Sequence, residues 1–197
     1  MKSFNHFIIR LFCYSAILLF TACTDSNTVI EGRLPSDGFD NERVYLVPFK
    51  GASSKTVDST LIRNGSFRFK LKPAKQNQIF IVRVKPILRL ELQEILVVSE
   101  PGTIQVNLDF RSSSSGTPLN QTLQEWKEKK YVSDSTIHSF RRKYQKEIDE
   151  TEKALIQSKV EEISKEYRNY ADSLVEINKD NPVGELIGSL FDNGEQH

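Results

Sequence analysis

With 197 residues, of which 38% are hydrophobic, the chain is long enough for one domain of ordinary size with a hydrophobic core. It carries 27 lysines and arginines against 26 aspartates and glutamates, for a formal net charge of +1. This balance predicts no nucleic-acid partner, because phosphate binding needs a concentrated positive field.

Residues 1–22 have the pattern of a secretory signal peptide. Lys2 and Arg10 flank an apolar run, residues 11–20, which is shorter than a transmembrane helix requires. The run ends at Phe20-Thr21-Ala22-Cys23, which resembles the lipobox where bacterial lipoproteins are acylated on the cysteine and cleaved before it. We therefore predict lipidation of Cys23. The alternative is an ordinary signal peptide whose cleavage site happens to lie near a cysteine.

Processing at Cys23 would leave 175 residues with 25 basic and 26 acidic side chains. The lipid would attach the protein to a bacterial membrane, and we expect the outer membrane rather than the inner one, with the protein facing the periplasm or the cell surface. Cys13 would be discarded with the signal peptide. Since Cys23 would carry lipid, we expect no disulfide, thiolate nucleophile or cysteine metal site in the folded protein.

After a short polar tether, residues 23–28, the hydrophobic pattern has a period of two as far as residue 110. Short runs rich in β-branched and aromatic residues alternate there with turn residues. Their regular spacing predicts an antiparallel β-sandwich domain of about seven strands over residues 29–110. The runs are residues 28–34, 43–47, 56–62, 66–71, 79–84, 91–98 and 103–108.

The dipeptide Asn64-Gly65 is the strongest turn signal, because a two-residue hairpin turn needs a positive φ angle at both positions. It predicts a hairpin between residues 57–62 and 67–71. On the second of these strands Phe67 and Phe69 alternate with charged residues. Both rings are therefore predicted to face the core.

Residues 111–117 are Ser-rich and are predicted to be a flexible linker. Beyond them, apolar residues recur at helical spacing over residues 118–191, and residues 192–197 are predicted to be a polar tail. The sequence therefore predicts an α+β protein, a sandwich followed by a C-terminal helical arm. Predicted helix starts lie at Thr117-Pro118, at Ser133 or Ser135, and at Asn181-Pro182.

A long helix over residues 134–178 is predicted to carry a heptad-like apolar stripe. The stripe consists of Ile156, Val160, Ile163, Tyr167, Tyr170, Leu174 and Ile177. The helix must fold back on residues 118–130 and the sandwich, break in two, or pair with another chain. The two tyrosines favour packing within the chain, since a buried phenol needs a hydrogen-bond partner.

Few side chains have the pattern of a catalytic site. His138 has no clustered ligands around it in the sequence, as a metal site would need. Trp126, in register with Leu119 and Leu123, is predicted to be a core residue rather than a ligand platform. The basic run Arg141-Arg142-Lys143 is predicted to be solvated, with contact to an anionic lipid or polymer as the alternative. We expect no catalytic, cofactor-binding or metal-binding residues.

Several short motifs share an order with one known family. They are Val29-Ile30-Glu31-Gly32, Arg43-Val44-Tyr45-Leu46, Asp58-Ser59-Thr60, the run from Asn64 to Phe69, Ser99-Glu100-Pro101-Gly102 and the run from Gly116 to Asn120. In this order they resemble the uncharacterised N-terminal domain of bacterial thiol-disulfide oxidoreductase lipoproteins. In that family a thioredoxin-like domain with a Cys-x-x-Cys motif follows. The present sequence has no such pair, so the resemblance transfers no catalytic residue.

Three functions are compatible with these patterns. The first is a non-enzymatic envelope lipoprotein, an interaction or structural module whose helical arm binds a partner protein or a second copy. The second is an accessory subunit of a thiol-disulfide oxidoreductase system whose thioredoxin-like domain is on another chain. The third, a glycan- or peptide-binding module, rests on analogy with other sandwiches.

Overall fold

The computed structural model of the protein describes residues 27–192 and contains two four-stranded sheets followed by three α-helices. The strands are β1 (Thr28–Arg33), β2 (Arg43–Pro48), β3 (Asp58–Leu61), β4 (Ser66–Leu71), β5 (Ile79–Arg83), β6 (Ile95–Val98), β7 (Gly102–Asn107) and β8 (Ser113–Ser115). Sheet 1 has the order β4-β1-β7-β8 and sheet 2 the order β3-β2-β5-β6. The helices are α1 (Pro118–Tyr144), α2 (Glu150–Ile177) and α3 (Pro182–Asp192), and short 3-10 helices occupy Asp37–Phe39 and Pro86–Leu90.

The predicted α+β sandwich with a helical arm is confirmed. Apolar side chains from the inner faces of both sheets form one core, which includes Ile30, Phe67, Phe69, Val82, Val97 and Ile104. Phe67 and Phe69 face it as predicted, with their rings in edge contact at a centroid distance of 5.9 Å. The strand pairs are antiparallel except for β1 and β7, which are parallel.

The turn at Asn64-Gly65 is confirmed, but the hairpin predicted around it is wrong. Both residues have positive φ, 50° and 63°, yet pairing stops at the single bridge between Arg63 and Ser66. Strand β3 then pairs with β2 in sheet 2, whereas β4 pairs with β1 in sheet 1. The Asp40 carboxylate accepts the N–H groups of both turn residues, at 2.7 and 2.9 Å. The turn is therefore a corner between the sheets.

The Ser-rich segment, residues 111–117, contains strand β8, so the sandwich has eight strands among the described residues rather than seven. Ser112 and Ser114 are buried. The Ser112 hydroxyl accepts the Asp109 N–H and donates to the Gln93 carbonyl. These bonds, together with the pairing of β8 to β7, order a segment whose composition alone predicts a linker.

The helix boundaries differ from those expected. Helix α1 continues through Ser133 and Ser135 as far as Tyr144, so neither serine begins a helix. The break comes at residues 145–149, where the Asp149 carboxylate accepts the N–H groups of Thr151 and Glu152 and caps α2. At the start of α3 the predicted cap is confirmed, because the Asn181 side chain accepts the Val183 N–H at 2.9 Å.

The helical arm folds back on itself and on the sandwich. Helices α1 and α2 form a hairpin, in which Tyr167, Tyr170 and Leu174 of the stripe pack into a second apolar cluster. This cluster joins the helices to Ile79 and Val98 on the outer face of sheet 2. Intrachain packing is therefore the arrangement that the structure shows. None of the described helices is long and apolar enough to cross a bilayer.

Candidate functional site

Cys23, the predicted lipidation residue, lies outside the described residues. His138 and the run Arg141-Arg142-Lys143 are exposed on the second half of α1. Helical carboxylates form surface ion pairs, for example Glu150 with Lys153 at 2.7 Å. These groups lie on solvated helix faces, as the sequence predicts.

Trp126 is a core residue, as predicted, and is 6% exposed. Its ring packs in the cluster that includes Leu123, Ala171 and Ile187. The indole Nε1 lies near the Tyr167 hydroxyl without completing a hydrogen bond of normal geometry. Burial raises the pKa of Tyr167, and the nearby indole N–H offsets part of that rise. Trp126 also lines a surface groove, so its side chain belongs both to the core and to the groove.

The groove lies between the first half of α1 and the outer face of sheet 2, and has a volume of about 660 Å³. Its apolar lining includes Ile81 and Leu96 from sheet 2 and Leu123 and Trp126 from α1. Three exposed aromatic side chains stand at its margin, namely Phe49, Phe110 and Tyr131. The volume falls within the usual range for ligand sites, and half of the sixteen lining residues are polar or charged.

Side chains of α1 satisfy backbone groups at the edges of both sheets. The Asn120 carboxamide accepts the Val98 N–H at 2.9 Å and donates to the Val98 carbonyl at 2.8 Å, on edge strand β6. Gln124 accepts the Ser114 N–H of edge strand β8 at 3.1 Å, and the Lys127 ammonium donates to the Ser112 carbonyl. Helix α1 thus covers the side of the sandwich between β6 and β8 at Val98, Ser112 and Ser114.

Glu100, which is buried, fixes where α1 begins. Its carboxylate accepts the Asn120 N–H at 3.0 Å, near the positive end of the helix dipole. Its carbonyl accepts the Thr28 hydroxyl at 2.8 Å. The start of α1 and the start of β1 are therefore held at one end of the sandwich.

Charged side chains form the rim of the groove. Arg111 pairs with Glu128 at 2.7 Å and stacks over the Tyr131 ring at 4.1 Å. Arg89 pairs with Glu94 at 3.2 Å. Exposed pairs of this kind contribute at most about 1 kcal/mol each to stability, so their main effect is to hold the rim side chains in place.

Lys127 is the most buried cation of the rim. Burial lowers the pKa of its ammonium, and the charge of Arg111 acts in the same direction, while Glu128 raises it. Among residues 27–192, no three histidine, cysteine, aspartate or glutamate side chains are grouped to hold a metal ion. The groove offers apolar surface, backbone edges and a charged rim, which suit non-covalent binding.

No pattern in the sequence predicts the groove. Its residues come from β5, β6, β8, α1, the second 3-10 helix and the segments that follow β2 and precede β6 and β8, and no local pattern joins them. One signal was present, because Ile79, Phe80, Ile81 and Val82 are all apolar. A continuous apolar run indicates burial on both faces of a strand, and hence helices packed outside sheet 2.

Comparison with known families gives a match over part of the chain. Residues 28–123 match the model of a domain of unknown function (DUF4369). The matched range covers all eight described strands and the first turns of α1, including Asn120 and Leu123. No curated protein and no solved structure matches the chain.

Proposed function

We propose that the protein is a non-enzymatic module of the bacterial cell envelope, anchored by lipid on Cys23, that binds a partner protein at the groove. Anchoring is supported by the signal-like segment and by Phe20-Thr21-Ala22-Cys23 at its end. The tether is short, since β1 begins at Thr28.

The proposal that a partner protein binds rests on the groove. Its lining comes from sheet strands and a long helix, which are rigid elements that can hold side chains in fixed positions. Apolar residues lie at its centre and ion-paired residues at its margin. This is the usual anatomy of a protein interface, with an apolar core and a polar rim.

The anchor is tested by Cys23→Ala, with Cys13→Ala as the matched control. A single acyl chain binds membranes only marginally, at about 0.8 kcal/mol per buried CH₂, whereas a lipobox cysteine acquires several chains. Cys23→Ala should release the protein from the membrane fraction or leave an unprocessed precursor, and Cys13→Ala should behave as wild type. A mature wild-type protein that mass spectrometry finds soluble and unlipidated would contradict the anchor.

The groove is tested by capture of partners from detergent-solubilised membranes. Phe49→Ala with Phe110→Ala removes two exposed rings of the groove margin. Ile87→Ala removes an exposed apolar side chain that is not part of the groove lining. A partner that is captured by wild type and by Ile87→Ala, but lost in the double variant, would support the proposal. Equal capture by all three proteins would refute binding at the groove.

A second candidate is an accessory subunit of a thiol-disulfide oxidoreductase system. It is favoured by the order of the sequence motifs, which resembles the domain preceding thioredoxin-like domains in such lipoproteins. The same capture experiment separates the candidates. Recovery of a protein with a Cys-x-x-Cys motif, dependent on the groove, would support the second.

A further inference from the structure

We propose that the occupant of the groove is an extended polypeptide segment, which adds as a new strand to the open edge of β6 at Leu96. This inference rests on the proposed function and specifies the class of partner. Addition of a strand to an exposed sheet edge is a recurring mode of peptide recognition.

The hydrogen bonding of β6 shows which of its backbone groups face away from sheet 2. Ser99 donates its N–H to the Gln78 carbonyl at 2.8 Å, next to the end of β5. Since backbone direction alternates along a strand, Val97 also faces β5. Val98 and Leu96 therefore direct their N–H and C=O groups outward, to the edge.

The two outward-facing residues differ in how their backbone groups are satisfied. Both groups of Val98 are bound by Asn120. Leu96 lines the groove, and within residues 27–192 no hydrogen bond is found for its N–H or C=O. Asn120 thus occupies the place of one residue of a neighbouring strand, and the next place along the edge, beside Leu96, opens into the groove.

A strand added at Leu96 would turn successive side chains to opposite faces of the sheet. One set would lie over Ile81 and Trp126, which line the groove with apolar surface. The other set would approach the Ser114 hydroxyl, which is buried, borders the groove and has no partner in the described part of the chain. The favoured segment therefore alternates apolar and polar residues.

The charge of the groove favours an acidic segment. Its lining carries three cations, Arg89, Arg111 and Lys127, and two carboxylates, Glu94 and Glu128. Both arginines are paired with these carboxylates, whereas the Lys127 ammonium donates to a backbone carbonyl. A carboxylate on the bound segment would complement Lys127. A purely apolar ligand would leave the Leu96 backbone groups without a partner and would supply no carboxylate to Lys127.

The probe is a displayed library of random linear peptides, selected against the intact lipidated protein in detergent. Enriched peptides are synthesised, and their dissociation constants are measured for wild type, Leu96→Pro and Leu96→Ala. Leu96→Pro removes only the N–H of residue 96, which points away from β5. Edge strands tolerate proline at such positions. Alanine loses a similar amount of side chain but keeps the N–H. We expect binding to weaken about tenfold or more in Leu96→Pro relative to Leu96→Ala.

A second measurement leaves the protein unchanged and keeps the proposal testable if Leu96→Pro fails to fold. Each backbone nitrogen of the best peptide is methylated in turn. A peptide that pairs with Leu96 as a strand should lose binding when the one nitrogen that donates to the Leu96 carbonyl is methylated, and keep it when the neighbouring nitrogens are methylated.

Equal affinities for Leu96→Pro and Leu96→Ala, uniform effects of methylation, or a library that yields no binder would each overturn the proposal. If these results occurred while a partner was still captured through Phe49 and Phe110, the proposed function would stand and strand addition alone would fail.

Discussion

The Asn120 carboxamide binds both backbone polar groups of Val98, through contacts of 2.9 and 2.8 Å. Asn120 and Val98 are fully buried, and one is on a helix and the other on an edge strand. A single side chain thus replaces a neighbouring strand, and it joins α1 to the sandwich.

Replacement of Asn120 by leucine should be strongly destabilising. Two buried backbone groups of Val98 would lose their partners, and each unsatisfied group costs about 1–3 kcal/mol. We expect the free energy of unfolding in urea to fall by about 2–4 kcal/mol, within the range set by these two losses. Gln121→Leu, on the exposed face of the same helix turn, is the control. The loss for Asn120→Leu must exceed that for Gln121→Leu by more than experimental error, and equal stabilities of the two variants would refute the role assigned to Asn120.

Gly32→Ala should disrupt the pairing of β1 with β4. A Cβ atom at Gly32 would lie 1.9 Å from the Phe67 ring, and that ring is packed in the core. Forced repacking typically costs about 1–3 kcal/mol, so we expect at least this loss in the free energy of unfolding. In the control Gly188→Ala, the new methyl group would lie 3.7 Å from Val175, an ordinary contact. An unchanged unfolding midpoint for Gly32→Ala would show that Phe67 can move freely.

Two adjacent residues of α2 allow the loss of a buried side chain to be compared with the loss of an exposed one. Ile156 is 3% exposed and Leu155 is 53% exposed. Ile156→Ala should cost about 2–5 kcal/mol, as buried isoleucines generally do, and should increase hydrogen exchange in the first half of α2. Leu155→Ala should change stability by less than about 0.5 kcal/mol. Similar exchange in the two variants would mean that the end of the helical hairpin is not packed as described.

The Asp149 cap should make α2 sensitive to acid. Backbone N–H groups of Glu152 and Thr151 hold the pKa of this carboxyl below its usual value. A depressed pKa in the folded state stabilises the fold above the unfolded pKa, and the effect is lost as the pH falls through the folded value. Asp149→Asn keeps a capping side chain but does not titrate. Its stability relative to wild type should therefore rise as the pH falls below about 4, the ordinary aspartate range. A difference between the two proteins that is constant with pH would contradict this.

Local rules predicted the parts of the fold that depend on neighbouring residues. The alternation around Phe67 and Phe69 placed both rings correctly, and Asn64-Gly65 adopted the turn that its φ preferences favour. The strand partners were not predictable from that turn. The carboxylate that holds this turn belongs to Asp40, which lies 24 residues away in sequence and accepts the Asn64 N–H.

The groove and the order of the Ser-rich segment depend on contacts between distant residues. Ser112 is ordered by the Gln93 carbonyl and by Lys127, and neither contact leaves a periodic pattern in the sequence. The helix start predicted at Ser133 is wrong for a related reason. Serine favours a helix start by itself, but here it lies in the middle of α1 and is buried, so tertiary packing overrides its local preference.

Glu100 contacts the beginnings of both β1 and α1, so both elements start at the same end of the protein. Helix α1 leaves that end of the molecule and runs for 27 residues, a length of about 40 Å at 1.5 Å per residue. In a chain held to a bilayer at Cys23, the tether would enter at this same end. The turn between α1 and α2 would then lie at the far end of this helix, about 40 Å along it from the anchoring end, so the length of α1 would set the distance between the anchor and this turn.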